Sequence, residues 1–268
     1  MDSNRLVSLL QAFSSGERSL EETLAELRPG ELSEKSGQVF ATVDLDRKDR
    51  TGFPEVIFGQ SKTAEQIASI LKKLNEAGQN AFATRVGRKK ASAIKALLPD
   101  CTYNETARII HREVAPIELQ GKGEIGILCA GTSDLDVAEE AACVAELLGN
   151  QVTRITDVGV AGVHRLLRHQ DVLTRCRVLV VVAGMEGALP SVVAGLTDRP
   201  VIAVPTSVGY GSAFGGVTAL LGMLSSFEPD GPDPAFTPAF LSANQQAEYA
   251  KVVKFLAGGE SNRKHVDR

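Results

Sequence analysis

From Glu124 onward the chain alternates two kinds of text. EIGILCAG, QVTRITDVG, RVLVVVAG and PVIAVPT are short apolar runs. Between them lie DLDVAEEAACVAELLG, AGVHRLLRHQDVL and EGALPSVVAGLT, each of helical length, and a last helix is expected from about Ala213 to Leu224. Strands that are apolar throughout, and not at every second residue, need cover on both faces, which a parallel sheet flanked by helices supplies. Regular strand–helix alternation with that property predicts an α/β fold, a doubly wound parallel sheet with helices on both faces.

The same pattern says where chemistry belongs, because ligands of such sheets bind outside the carboxyl ends of the strands. The first end opens into AGTSD, where Thr132 and Ser133 set hydroxyls beside the unpaired N–H groups of a helix start. That is either plain capping or a phosphate site. Asp134 suits a ribose hydroxyl better than a phosphate. The second end, DVGVAGVHR, carries His164 as a candidate acid/base and Arg165 as a candidate phosphate clamp, against the plainer reading of a structural helix His. The third, AGMEGALP, places Glu186 beside Gly187 as a general acid/base or ribose ligand, or simply a partner of the helix dipole. The fourth, TSVGYGSAFGG, has four glycines in eleven residues. There Gly209 and Gly211 let backbone approach a ligand, while Ser207 and Tyr210 offer hydrogen bonds. Four polar or glycine-rich loops on one edge imply a phosphorylated small molecule.

Upstream, residues 4–28 suggest two short helices around the turn SSGER, the second opened by a Ser19/Glu22 capping box. VFATVDLD and PEVIFG read as strands. Thr63 and Gln66 cap a helix that carries Ile67, Ile70, Leu71 and Leu74 on one face and stops at Gly78. AFATRV, a helix near 88–98 and TARIIHREVA complete a smaller α/β unit. The GKGE turn divides the chain into an N-terminal accessory domain (1–120), a nucleotide-binding domain (121–228) and a Pro-rich, partly disordered tail (229–268).

Composition excludes several classes. A net charge of -4 with 23% charged residues offers no footprint for nucleic acid. No apolar run approaches the ~18 residues of a membrane helix, and the N-terminus lacks the apolar segment of a secretion signal. The four cysteines, Cys101, Cys129, Cys143 and Cys176, form no CxxC pair, and two of them sit in apolar runs that suit a buried reduced thiol, which points to a cytoplasmic protein. GQSKT lacks the full P-loop pattern, RVGRKK reads as a solvated helix start, and Asp44, Asp46 and Arg50 as a solvated strand end. His111, His169 and His265 show no metal-ligand spacing, so no protein-held metal is expected.

Five strings, GFPEVIFGQSKTAEQI, AGTSDLDVAEEA, ITDVGVAGVHRLL, VVVAGMEGALPSVVAGL and PVIAVPTSVGYGSAFGG, resemble the LarB family of nickel-pincer cofactor biosynthesis proteins over about residues 7–226. The C-terminal domain of that family is related to aminoimidazole ribonucleotide carboxylase/mutase (PurE). The resemblance implies a PurE-like fold, a homo-octamer, and a reaction on nicotinic acid adenine dinucleotide. The pyridine ring is carboxylated with carbon dioxide or bicarbonate as co-substrate, and the phosphoanhydride is hydrolysed to a biscarboxylic mononucleotide and AMP. Mg2+ is admitted as a companion of the phosphates and no tightly bound cofactor is expected. The family adds a cysteine thiolate to the ring to make it nucleophilic. Here LSSFE puts Phe227 at that place, and the four prolines of PDGPDPAFTPAF argue against the strand that follows it in the family. Ser225 and Ser226 are nearby hydroxyls with no evident base. Three readings stay open: a LarB-type carboxylase/hydrolase, a carboxylase or mutase of an already nucleophilic ring using His164, and a nucleotide-binding relative without catalysis.

Overall fold

A computed structural model describes residues 3–27, 30–33, 39–226 and 237–238. Phe227 and nearly all of the tail lie outside the described residues. The chain opens with helices α1 (Ser3–Ser14) and α2 (Leu20–Leu27), joined as expected by a turn. The Ser19/Glu22 capping box is formed in both directions, at 2.8 and 3.1 Å.

A hairpin of β1 (Glu31–Ser33) and β2 (Val39–Thr42) follows. The DLD that was read with the second strand instead leads into a short helix, α3 (Arg47–Thr51), because Asp44 turns to pair with Arg50 at 2.5 Å. Next come β3 (Ile57–Phe58), α4 (Ala64–Glu76), β4 (Ala81–Thr84), α5 (Arg88–Leu97), β5 (Thr102–Asn104) and β6 (Ile109–Arg112). They form a mixed sheet in the order β3-β4-β6-β5. PEVIFG yields only a two-residue strand, and β5 was not foreseen. TYN is too short to show a period of two. The predicted Thr63/Gln66 box closes α4 on both sides. Its buried stripe of Ile67, Ile70, Leu71 and Leu74 packs with Ala81, Ala83, Ala91 and Ile94 in one core.

The second half contains β7 (Glu124–Cys129), α6 (Leu135–Leu147), β8 (Gln151–Ile155), α7 (Val163–Leu167) and α8 (Gln170–Arg175). It continues with β9 (Val178–Ala183), α9 (Leu189–Ala194), β10 (Val201–Pro205), α10 (Val217–Ser225) and β11 (Thr237–Pro238). The sheet is wholly parallel in the order β11-β10-β9-β7-β8, the doubly wound order expected of a flavodoxin-like layer structure.

β9 is buried at all six positions, as its unbroken apolar run requires. Ile125, Ile127, Val178, Val180, Ile202 and Val204 face α6. Leu128, Leu179, Val181 and Ala203 face α7, α8 and α9 with Leu166, Leu173, Leu189 and Val193. Three expectations change in detail. AGVHRLLRHQDVL is two helices broken at Arg168 and His169, the last helix begins as a 3-10 turn over Gly211–Gly216, and Thr237–Pro238 does pair in parallel with Ile202 and Ala203. The last corrects the argument from prolines. Proline at an edge strand can leave its missing N–H on the unpaired side.

The two sheets share α6. Ala138, Ala142 and Ala145 meet the parallel sheet, while Cys143 and Val144 meet Phe82 and Ile109 of the N-terminal sheet. A partly buried pair, Arg85 Nε to Glu140 Oε1 at 3.0 Å, and a bond from Asn104 Nδ2 to Glu139 at 3.2 Å link the two halves. Among the described residues, no helix is long and apolar enough to cross a membrane.

Candidate functional site

In this strand order the chain reverses direction between β7 and β9, and the crevice of a doubly wound sheet opens at such a switch point. The loop after β7 carries Thr132, Ser133 and Asp134, and the loop after β9 carries Glu186 and Gly187. They flank the switch. The His164/Arg165 loop stands beyond β7, after β8, and the Ser207–Gly211 loop beyond β9, after β10.

Backbone bonds lash these four loops side by side. Val158 N–H donates to Cys129 O at 3.2 Å, Ala130 N–H to Val182 O at 3.0 Å, Thr206 N–H to Ala183 O at 3.0 Å and Met185 N–H to Val208 O at 2.7 Å. One side-chain bond crosses the whole switch. Thr206 Oγ1 donates to Asp134 Oδ1 at 2.6 Å, and Gly131 N–H donates to Asp134 Oδ2 at 3.1 Å. Asp134 is only 4% exposed, and that burial lifts its carboxyl above the usual range against the lowering pull of those two donors. Its carboxylate therefore faces protein partners, and it organises the first loop against the fourth.

Thr132 and Ser133 are exposed in a 3-10 turn ahead of α6, and their hydroxyls make no hydrogen bond among the described residues. Arg165 is half-buried and paired with Asp157 at 2.5 Å, which aims the guanidinium and leaves donors over. His164 and Glu186 are exposed and have no ion-pair or side-chain hydrogen-bond partner among the described residues. Tyr210 is 82% exposed, and Ser207, Gly209 and Gly211 line the same open loop. All eleven expected residues thus lie at one sheet edge. Cys129, at the end of β7, is wholly buried, and burial pushes its thiol up. Ser226 Oγ is tied to Ser191 Oγ at 2.5 Å and to Gly222 O at 3.1 Å, and Ser225 Oγ to Leu221 O at 2.7 Å.

Sequence reasoning missed the backbone of these loops. Asp157 after β8, Met185 after β9 and Phe214 after β10 each have positive φ, at 58°, 52° and 44°. A side chain in that region is uncommon, and such strain gathers at ligand loops. It also missed how α10 sits on the Glu186 turn. Gly187 has φ of 70°, and a Cβ there would lie 2.4 Å from Ala219 O; a Cβ on Gly222 would lie 2.2 Å from Glu186 O. The signal was present in GMEG and in the small residues of TALLGM, but no rule joins them before the fold is known.

Comparison with known proteins agrees with this layout. Residues 34–114 match the LarB/PurE-like N-terminal domain and residues 124–234 match AIR carboxylase. The chain is 38% identical over 235 residues to an uncharacterized protein of Methanocaldococcus jannaschii, covering 84% of this chain and 88% of that protein. It is 37% identical over 84 residues to N5-carboxyaminoimidazole ribonucleotide mutase of the same organism, covering 30% of this chain and 51% of the mutase. With both domains in this order and a relative matched over most of its length, the chain belongs to the LarB-like proteins of the PurE superfamily.

Proposed function

We propose that this chain is a LarB-type carboxylase that binds nicotinic acid adenine dinucleotide across the switch point, carboxylates the pyridine ring and releases AMP. One observation carries the reading. A LarB/PurE-like N-terminal domain precedes an AIR carboxylase domain whose four polar loops line one sheet edge. In this assignment Thr132, Ser133 and Arg165 hold phosphate, and the Gly209–Gly211 backbone lies along the nucleotide. Glu186 and His164, exposed and without an ion-pair partner among the described residues, are the groups able to move protons.

The ring step needs a nucleophile, since a pyridinium is too electron-poor to attack carbon dioxide. The family uses a thiolate, and Phe227 stands at its place in this sequence. All four cysteines are buried, with Cys143 pushed up to about 12 and Cys176 to about 11 by desolvation, so none is a ready thiolate. Incubation with nicotinic acid adenine dinucleotide, 13C-bicarbonate and Mg2+, followed by mass spectrometry, tests the proposal. AMP is expected from the unsubstituted chain, and a mononucleotide with one labelled carboxyl group from Phe227→Cys, which restores a thiol at the family position. No AMP at any enzyme level contradicts it.

The absence of an exposed cysteine among the described residues favours a second reading. A carboxylase or mutase of a ring that is already nucleophilic, such as aminoimidazole ribonucleotide, needs no thiol and would use His164 as acid/base. That reading fails if aminoimidazole ribonucleotide is not turned over or if His164→Asn leaves turnover unchanged.

A further inference from the structure

The loop after β8 holds a carboxylate against a guanidinium in a defined arrangement. Val158 is 1% exposed and its N–H donates to Cys129 O at 3.2 Å, so this stretch of backbone is seated on the end of β7. Asp157, just before it, is exposed and has φ of 58°, a region uncommon for a residue with a Cβ. Its Oδ2 meets Arg165 Nη1 at 2.5 Å. The guanidinium lies against Gly162, where a Cβ would stand 2.7 Å from Nε and 3.0 Å from Nη2. An ion pair this open to water adds little to stability, so folding alone does not account for an acid in a strained conformation at this place.

The crevice is also poor in positive charge. Residues 130–134, 156–165, 184–187 and 206–211 contain one permanent cation, Arg165, and three carboxyl groups, Asp134, Asp157 and Glu186. Asp134 is bound inward by Thr206, whereas Asp157 stands against the guanidinium itself. Part of the field of Arg165 is therefore neutralised before any ligand arrives, and what remains suits a phosphate with a single negative charge. Phosphates differ in this respect. A phosphodiester or a bridging diphosphate carries one charge at each phosphorus, while a terminal monoester, with a second pKa of about 6, carries about two at pH 8.

We propose that Asp157 sets the phosphate specificity of the crevice, admitting a bridging diphosphate and repelling a terminal phosphate dianion. This role rests on the assignment of Arg165 to phosphate under the proposed function. A dinucleotide presents only bridging phosphates. Addition of water across its phosphoanhydride gives two monoesters, and each then loses a further proton to become a dianion. Asp157 thus disfavours both products relative to the substrate.

Calorimetric titration of the full chain at pH 8 in EDTA, with AMP and with the methyl phosphodiester of AMP, tests this, because the two ligands differ by one charge. The diester is expected to bind about threefold more tightly or better, the effect of one unit charge across a solvated ion pair. Asp157→Asn keeps a residue that tolerates positive φ, and it should bring the two affinities within about twofold through a gain in AMP. Arg165→Gln should weaken both ligands by about tenfold, since each loses its charged donor. AMP as tight as the diester in the unsubstituted chain overturns the proposal, as does absence of binding by both. So does a preference that survives Asp157→Asn, or an affinity that Arg165→Gln leaves unchanged. Nicotinic acid adenine dinucleotide, titrated alongside, reports separately on the substrate. Failure of that ligand with the diester preference intact contradicts the dinucleotide and upholds the role of Asp157.

Discussion

Asp134 shows how a residue readable as a ligand can be spent on the frame. Its carboxyl is raised by burial and restrained by Thr206 and Gly131. A folded-state value above the unfolded one means that this group adds stability below the ordinary carboxylate range and loses it as pH rises through the folded value. Thr206→Val removes one donor and lifts the folded value further. We predict that the variant loses about 1–3 kcal/mol at pH 7, where an ionised buried carboxylate lacks its partner. The loss should shrink on acidification, as protonation of Asp134 relieves it. Urea unfolding at pH 7 and at pH 4.5 reads the difference, and an equal loss at both pH values contradicts the assignment. In the sequence, Asp134 was visible as a helix-start acid in AGTSD. Thr206 was not, because its partner lies 72 residues away and becomes a neighbour only through the strand order.

At the scale of elements, the switch-point loops hold their shape through backbone that few residues tolerate. Gly187 and Gly211 both have positive φ, at 70° and 60°, but only Gly187 has backbone within reach of a Cβ. Gly211→Ala meets open space and is expected to cost about 1 kcal/mol from conformation alone. Gly187→Ala must also push Ala219 O away from 2.4 Å, so its loss should exceed that of Gly211→Ala by at least about 1 kcal/mol. Parallel thermal melts of the two variants compare them, and equal melting temperatures would refute the packing argument. The elements themselves were legible where one physical signal was strong. The continuous apolar run of β9, the capping boxes of α2 and α4 and the stripe of α4 all appear as read. Short pieces were not. β5, α3 and β11 are two to five residues long, less than one period of evidence, and they form because neighbouring strands and ion pairs recruit them.

For the whole molecule, the parallel sheet and its crevice followed from the strand pattern, while the sharing of α6 between two sheets did not. A helix apolar on two sides reads as one well-buried helix, and nothing in DLDVAEEAACVAELLG says what covers the second side. A further apolar stripe is exposed among the described residues. Val217, Leu221 and Leu224 recur at helical spacing on α10 and are 50%, 55% and 43% exposed, beside Phe214 at 74%. A stripe of this kind marks an association surface. The homo-octamer expected from the family resemblance would have a mass of about 228 kDa by light scattering, eight times the 28.5 kDa chain. Leu221→Lys is expected to lower the measured mass, and a monomer in the unsubstituted protein would contradict this use of α10.

The claim on which the rest depends is that four loops at the carboxyl edge form one dinucleotide site. Hydrogen–deuterium exchange of the full chain with and without nicotinic acid adenine dinucleotide tests it most directly. Slower exchange is expected at 130–134, 158–165, 184–187 and 206–211, with no change in the connector 115–120. Protection absent from all four loops, or confined to the N-terminal sheet, would contradict it.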